Sequence, residues 1–521
     1  MNACIVVTSA HDCDSKDLLK TAQSLEASTK RPTHWLVVDS NLKLAKILRH
    51  RSMKKTTMVI TDDPSNPELS LQSSTVVFLR AGDILAPDAL ALVAQHADQH
   101  DLIYGDSAHG RARKFEEPSK ARRPQWSPER LRSHNYVGDL LATSQSVVAA
   151  AGGISMLATL HEHDRSLRLF EVCKTPHRIA HVLYHSSQER MVPTASLDAV
   201  QQHCKRTGID AVCTIDEKMQ SVRVKRRLRS QPKISVIVPT RGTTETLKGN
   251  EVVLAAHAIK TLIDNSTYQN FDVIAVLDSV TADVGRLAIQ AAGGSRLKIV
   301  DYDRPFNFAE KINLGAVCSD SELLLLLNDD TEIISPDALE TLISILEDPS
   351  VAMAGPMLLY EDFAIQSAGH ILNPVPIDLY RGHSSTLSGA QNILKVQRES
   401  SGILAACVLI KRNVFEQLGG LCTLFPSNYN DVDFGLKMQD AGYRIVWTPH
   451  AQFHHFESKT RSVKMQPSEV ANIGARWRDK LEDDPYFNPH LERYINIWKE
   501  NVMGQRSVLD ALGPTAPIAS K

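Results

Sequence analysis

Short apolar runs rich in β-branched residues alternate with stretches of helical spacing along the whole chain. The early runs are ACIVVT at 3–8, THWLVVD at 33–39, TTMVI at 56–60 and STVVFL at 74–79. The later ones are ISVIVP at 234–239, FDVIAVLD at 271–278, LKIVDY at 297–302 and ELLLLL at 322–327. Continuous apolar runs between helical segments predict parallel strands buried on both faces. The expected class is α/β.

The pattern occurs twice, with the same landmarks in the same order. PDAL at 87–90 returns at 336–339, and VVAAAGGI at 147–154 returns in kind as VFEQLGGL at 414–421. HEHDRSLRL at 161–169 parallels NDVDFGLKM at 430–438, and RIAHVLYH at 178–185 parallels RIVWTPHAQFHH at 444–455. Four ordered matches predict a repeated domain. The expected boundaries are a first domain at 1–217, a basic linker at 218–231, a second domain at 232–500 and a tail at 501–521 without fixed structure.

Composition narrows the picture modestly. A chain of 521 residues exceeds what one core usually serves. Its net charge of −2 gives no global reason to expect nucleic acid as a partner. The locally basic KMQSVRVKRRLRSQP at 218–232 reads as a linker or edge strand, with contact to an anionic surface as the alternative. No apolar run approaches the ~20 residues of a membrane-crossing helix. The opening MNACIVVTSAHDCD lacks a basic leader and reads as a first strand, so no signal peptide is expected. Eight scattered cysteines without a CxxC pair suggest reduced thiols in a cytosolic compartment.

The chemistry concentrates after the run of five leucines. Asn328, Asp329 and Asp330 end that strand, where open α/β sheets bind ligands. Adjacent carboxylates there repel each other unless a cation lies between them, and their oxygens suit Mg²⁺ or Mn²⁺. Ser335 and Pro336 suit the N-cap and first position of the next helix. Thr240 closes the first strand of this half, and Asp278 and Asp283 stand five apart after the second. No GxGxxG turn follows the first strand, which argues against a dinucleotide-dependent oxidoreductase.

This order of motifs resembles the family 2 glycosyltransferases of GT-A fold, and most closely their rhamnosyltransferase-like branch of bacterial surface polysaccharides. The resemblance spans 232 to about 495 and includes DDPYFNPHL at 483–491. It implies two tandem GT-A-like domains, of which the second transfers a sugar with inversion from a nucleotide-sugar donor to a glycan or lipid-linked glycan hydroxyl. Thr240, Asp278, Asp283, Lys311, Asn313 and Asp329 match its nucleotide-sugar side, although DSVTAD places Val280 where the family usually has glycine. Asp330 matches its metal ligand, and His455, in an HxxS motif with Ser458, its third ligand; His454 is the adjacent alternative. Asp431 matches its catalytic base. The implied cofactor is Mn²⁺ or Mg²⁺, and the implied setting is the cytoplasm, peripheral to the inner membrane face, with 218–229 as a membrane contact.

The first half keeps the frame but not the acids. Arg80 and Ala81 stand where Asp329 and Asp330 stand, Glu162 where Asp431 stands, and His185 resembles His455. A cationic Arg80 repels a divalent ion. The first half therefore reads as a degenerate, non-catalytic copy, and 103–142 resembles an acceptor-side region. The rival readings are a non-catalytic glycan-binding scaffold and an enzyme with two working sites.

Overall fold

The computed structural model describes residues 4–9, 13–38, 56–62, 75–110, 119–186, 194–217, 220–457 and 466–501. The chain divides into two compact units. Unit 1 comprises 1–224 with 488–491 and 500–521, and unit 2 comprises 225–487 with 492–499. Ser458, most of the expected tail, and Lys218 and Met219 of the basic stretch lie outside the described residues.

Unit 1 is built on a mixed sheet. Its first strands are β1 (Cys4–Ser9), β2 (His34–Val38), β3 (Thr57–Thr61), β4 (Thr75–Phe78) and β5 (Ile84–Leu85). They are followed by β6 (Leu102–His109), β7 (Ser119–Ala121), β8 (Leu141–Ser144) and β9 (Pro176–Ser186). The path across the sheet is β3-β2-β1-β4-β8-β6-β9-β5, with β7 added to β6. The alternating residues of β1 feed two cores, with Ile5 and Val7 in one and Cys4 and Val6 in the other. This is the burial on both faces that the continuous apolar runs predict.

A two-stranded sheet, β10 (Ala211–Asp216) with β11 (Ser221–Arg226), follows. The basic stretch thus enters an edge strand instead of a free linker. Part of its charge is engaged further on: Lys225 lies 2.9 Å from Asp337.

Unit 2 contains β12 (Ile234–Thr240), the hairpin β13 (Thr244–Leu247) and β14 (Asn250–Val253), β15 (Phe271–Asp278), β16 (Leu297–Tyr302), β17 (Leu323–Leu327) and β18 (Thr331–Ile333). Then come β19 (Val351–Leu359), β20 (Ile365–Ser367), the pair β21 (His370–Leu372) and β22 (Pro376–Asp378), β23 (Arg398–Glu399), β24 (Cys407–Lys411) and β25 (Arg444–His455). The main path is β16-β15-β12-β17-β24-β19-β25-β18. It has the same order as the path in unit 1. The sense of pairing also agrees: β12 runs parallel to β15 and β17, and β1 parallel to β2 and β4. The sheet then turns antiparallel at β17–β24, as at β4–β8.

The two PDAL segments do the same structural work. Each Pro-Asp pair forms a turn, and the helices begin after it, at Ala89 and at Ala338. Ser335 is therefore not the N-cap expected from the sequence. Its carbonyl accepts from Ala338 N at 3.0 Å, which closes the turn and delays the helix to Ala338. The Pro87 carbonyl accepts from Thr29 N at 2.8 Å and from Thr29 Oγ1 at 3.0 Å. The Pro336 carbonyl accepts from Thr267 N and Thr267 Oγ1, both at 2.9 Å. Thr29 and Thr267 each follow the first long helix of their unit, Ser15–Ala27 and Leu254–Asn265. PDAL is one half of a clamp in both units.

Candidate active site

The carboxyl ends of β12, β15 and β17 carry the polar residues that the sequence singles out. Asp329 and Asp330 lie in the turn between β17 and β18, nearly buried at 9% and 5% exposure. β18 pairs with the end of β25, opposing Thr331 to His455. That register brings His455 Nε2 to 3.1 Å from Asp330 Oδ1. The strand alternation separates the two histidines. His454 points to the Tyr360 carbonyl, 3.0 Å from Nδ1, and stacks on Phe456. His455 is thus the one of the pair that faces the acids.

Asp329 accepts from Thr240 Oγ1 at 2.7 Å. Burial and the neighbouring Asp330 carboxylate push the Asp329 carboxyl up to about 7, against the pull of Thr240, Lys311 and His455. Asn328 Nδ2 lies 3.3 Å from His455 Nε2, and Asn328 Oδ1 is buried without a hydrogen-bond partner. Two carboxylates, an amide oxygen and an imidazole at one buried strand end are donors that fit Mg²⁺ or Mn²⁺.

Beneath this group lies a buried ion pair. Lys311, on the helix Phe308–Val317, is fully buried. Its ammonium reaches Asp278 Oδ1 at 2.5 Å and the Thr240 carbonyl at 2.8 Å. Burial lowers the Lys311 pKa, and Asp278 partly restores it. Lys311 therefore ties β12 to β15 from below. Asn313 also serves the frame: its side chain bonds Leu421 O at 2.8 Å and Leu421 N at 2.9 Å.

The loops above the sheet lean on each other. Gly242 has φ 66°, and a Cβ there would meet the Thr281 methyl at 2.5 Å. Thr281 Oγ1 in turn donates to the Arg241 carbonyl at 2.9 Å. Val280 is 92% exposed, so the turn after Asp278 forms without glycine, closed by Thr281 N to Asp278 O at 2.9 Å. Asp283 starts the helix Asp283–Gly293 and is exposed. No contact joins it to the Asp278–Lys311 pair.

The helix Asn430–Asp440 presents Asp431 and Asp433 on different faces. Asp431 is half-buried and accepts from Ala405 N at 3.3 Å and Val432 N at 2.9 Å. Asp433 is fully buried, bonded by Trp477 Nε1 at 2.8 Å and paired with Arg476 at 3.2 Å. Tyr429 precedes the helix with φ 62°, a left-handed conformation costly for a non-glycine residue.

Sequence reasoning missed a further set of charged residues in unit 2. Burial raises the Asp378 pKa, and Asp431 adds to the rise, while His370 and Arg381 oppose it. Arg381 lies 3.5 Å from Asp378 and 2.5 Å from Glu457. Burial opposes ionisation of Glu457, but Arg381 holds its pKa below the usual value, with a smaller pull from His455. Arg381 thus bridges Asp378 and Glu457 by ion pairs.

In unit 1 the corresponding strand end carries Arg80, 3.7 Å from Glu162. Burial opposes ionisation of Glu162, but Arg165 and Arg80 hold its pKa down. β5 and β9 oppose Ile84 to His185, much as β18 and β25 oppose Thr331 to His455.

Residues 232–479 match the family described as "Glycosyltransferase like family 2". The chain is 28% identical over 522 residues to the O-antigen biosynthesis protein RfbC of Myxococcus xanthus, covering 93% of this chain and 40% of that protein. It is 27% identical over 534 residues to the uncharacterized protein y4gI of Sinorhizobium fredii (strain NBRC 101917 / NGR234), covering 93% of this chain and 57% of that one. The chain thus spans 40% and 57% of the lengths of these curated relatives. Among solved structures, the mannosyltransferase PcManGT from Pyrobaculum calidifontis, in complex with GDP-Man and Mn²⁺, matches at 18% identity and TM-score 0.32, covering 50% of this chain and 68% of that one. GalNAc-T7 with UDP, GalNAc and Mn²⁺ matches at 12% identity and TM-score 0.38, covering 53% and 52%.

Proposed function

We propose, from the match of residues 232–479 to the family described as "Glycosyltransferase like family 2", that unit 2 transfers a sugar from a nucleotide-sugar donor to a hydroxyl of a growing surface glycan, with inversion at the anomeric carbon. The observation that carries this reading is the grouping of Asp329, Asp330 and His455 at the sheet's carboxyl end, beside Thr240.

Asp431 takes the acceptor proton. An alcohol is a poor nucleophile, and a carboxylate in reach removes its proton as the new bond forms. Backbone N–H groups of Ala405 and Val432 donate to its oxygens and hold the carboxylate in place. Asp330 and His455 hold the divalent cation, with Asp329 beside it. Bound there, Mn²⁺ or Mg²⁺ would neutralise the departing diphosphate. Thr240 and Asp278 border the nucleotide, and Lys311 fixes them from below; Asn313 and Asp283 act at one remove, through the loops they start or pin. One displacement needs one base and no covalent enzyme intermediate.

Unit 1 has no such role in this reading. Arg80 neutralises Glu162 at the position matching the base and supplies a cation where unit 2 has acids. Among the described residues no helix is long and apolar enough to cross a membrane. A cytoplasmic site of action on a lipid-linked acceptor, with the basic stretch against anionic lipid, belongs to this proposal as well.

The test is a thermal-shift screen of nucleotide-sugars with Mn²⁺, followed by transfer assays with the stabilising donor. Asp330→Ala should lose donor stabilisation, and Asp431→Asn should bind donor yet transfer at least about 100-fold more slowly. Full transfer by Asp431→Asn would remove it as the base.

A further inference from the structure

We propose that unit 1 carries a transition-metal site formed by His96, His100 and His177, separate from the crevice that matches the active site. Each of the three offers one ring nitrogen, and these nitrogens lie within 4.8 Å of one another.

The fold builds this convergence. The helix Ala89–His96 continues in a turn in which His100 N donates to His96 O at 3.1 Å. That i, i+4 spacing puts both imidazoles on one face. β6 and β9 run parallel and oppose Ile103 to His177. Asp101 pins the junction. Its carboxylate accepts from Lys174 N and Thr175 N, both at 2.8 Å, and from Thr175 Oγ1 at 3.1 Å. Asp101 N donates back to Thr175 Oγ1 at 3.0 Å. Four bonds therefore fix the segment after His100 against the segment before His177.

The rings themselves lack ordinary partners. His177 stacks between the others, with centroids 4.1 Å from His100 and 4.7 Å from His96. His100 Nδ1 is buried without a hydrogen-bond partner. A buried ring nitrogen left unbonded is unfavourable, and a metal–nitrogen bond is one way to satisfy it. A tetrahedral ion with bonds of about 2.0–2.1 Å requires nitrogens roughly 3.3 Å apart, so on binding the stacked rings would have to turn about χ2.

The donor chemistry selects the ion. Three imidazoles without a carboxylate suit Zn²⁺, Co²⁺ or Ni²⁺, not Mg²⁺ or Mn²⁺. The fourth position is left for water or an external ligand. His177 opens β9 and His185 is near its other end, eight residues and roughly 26 Å away. The site is thus remote from the position matching the active-site histidine, and it does not depend on the transferase reading.

The test uses the untagged full chain, stripped with chelator, in an Asp330→Ala/His455→Ala background so that unit 2 does not compete. Titration with Co²⁺, read by its d–d absorption, and with Zn²⁺ by calorimetry should give one site per chain. His177→Ala, and separately His96→Gln, should weaken it at least about 100-fold, more than loss of an outer partner does. Mn²⁺ in excess should not displace Co²⁺. Circular dichroism and urea unfolding check that the variants are folded. Equal Co²⁺ binding in the parent and in either folded variant overturns the site, as does a parent that binds no ion. Displacement of Co²⁺ by Mn²⁺ overturns the assigned class of ion.

Discussion

Asp329 shows how much one side chain can report. Its carboxyl is pushed up to about 7 because burial and Asp330 both resist a second negative charge. The raised folded-state pKa means that the pair favours folding below the ordinary carboxylate range and loses that contribution as pH rises through about 7. A bound cation replaces the proton. Mn²⁺ affinity should therefore fall about tenfold for each pH unit below about 7 and level off above it, with proton release measurable by calorimetry in two buffers. A flat profile from pH 5.5 to about 8 would remove the pair from the metal site. Lys311 makes a second case. Lys311→Met should cost roughly 3 kcal/mol in urea unfolding, because it strands Asp278 and the Thr240 carbonyl together. At this scale the sequence is legible where polar residues are contiguous or end a strand, as in Asn328-Asp329-Asp330 and His455. It is silent on Asp378, Arg381 and Glu457. Asp378 ends the three-residue strand β22, Arg381 and Glu457 lie in short irregular segments, and only the fold brings Arg381 to both acids.

Among elements, the helix Asn430–Asp440 has the clearest link to activity. It starts from a strained Tyr429 and is anchored through buried Asp433 to Trp477 and Arg476. Strain at the start and a fixed partner below hold Asp431 in one place. Tyr429→Gly should relieve about 1 kcal/mol of backbone strain yet lower kcat, with KM for the donor nearly unchanged, because the freed turn lets Asp431 wander. A kcat equal to the parent's would show that the turn does not position the base. The placement of Asp431 and Asp433 on separate faces follows from a spacing of two in a helix, so it could be read in advance. The start of the helix within PDAL, at Ala338, could not. Serine before proline is a good N-cap signal, but the carbonyl of Ser335 closes a turn with Ala338 first. Local propensity and tertiary bonding competed there, and the tertiary bond to Thr267 held the turn.

The whole molecule repeats one winding with two chemistries. Eight strands follow the same order in both sheets, while Arg80 stands in one and an acid pair in the other. Arg80→Ala with Glu162→Gln should leave transfer within about twofold of the parent, whereas Asp330→Ala should remove it, both read with saturating donor. A large loss from the unit 1 changes would give that crevice a part in catalysis. The repetition was visible in the sequence because buried strands keep their apolar runs whatever the crevice does. The proposed site in unit 1 was not visible, since His177 is 77 residues beyond His100 and the three histidines carry no motif. The clamp from Pro87 to Thr29, and from Pro336 to Thr267, has a consequence for synthesis. Its partners are 58 and 69 residues apart. A nascent chain halted before Pro87 already contains β1 to β5 but cannot lock the loop behind its first helix. The second unit meets the same threshold at Pro336. Each unit thus has its own commitment point in translation, and the earlier one is passed before any residue of the second sheet has been made.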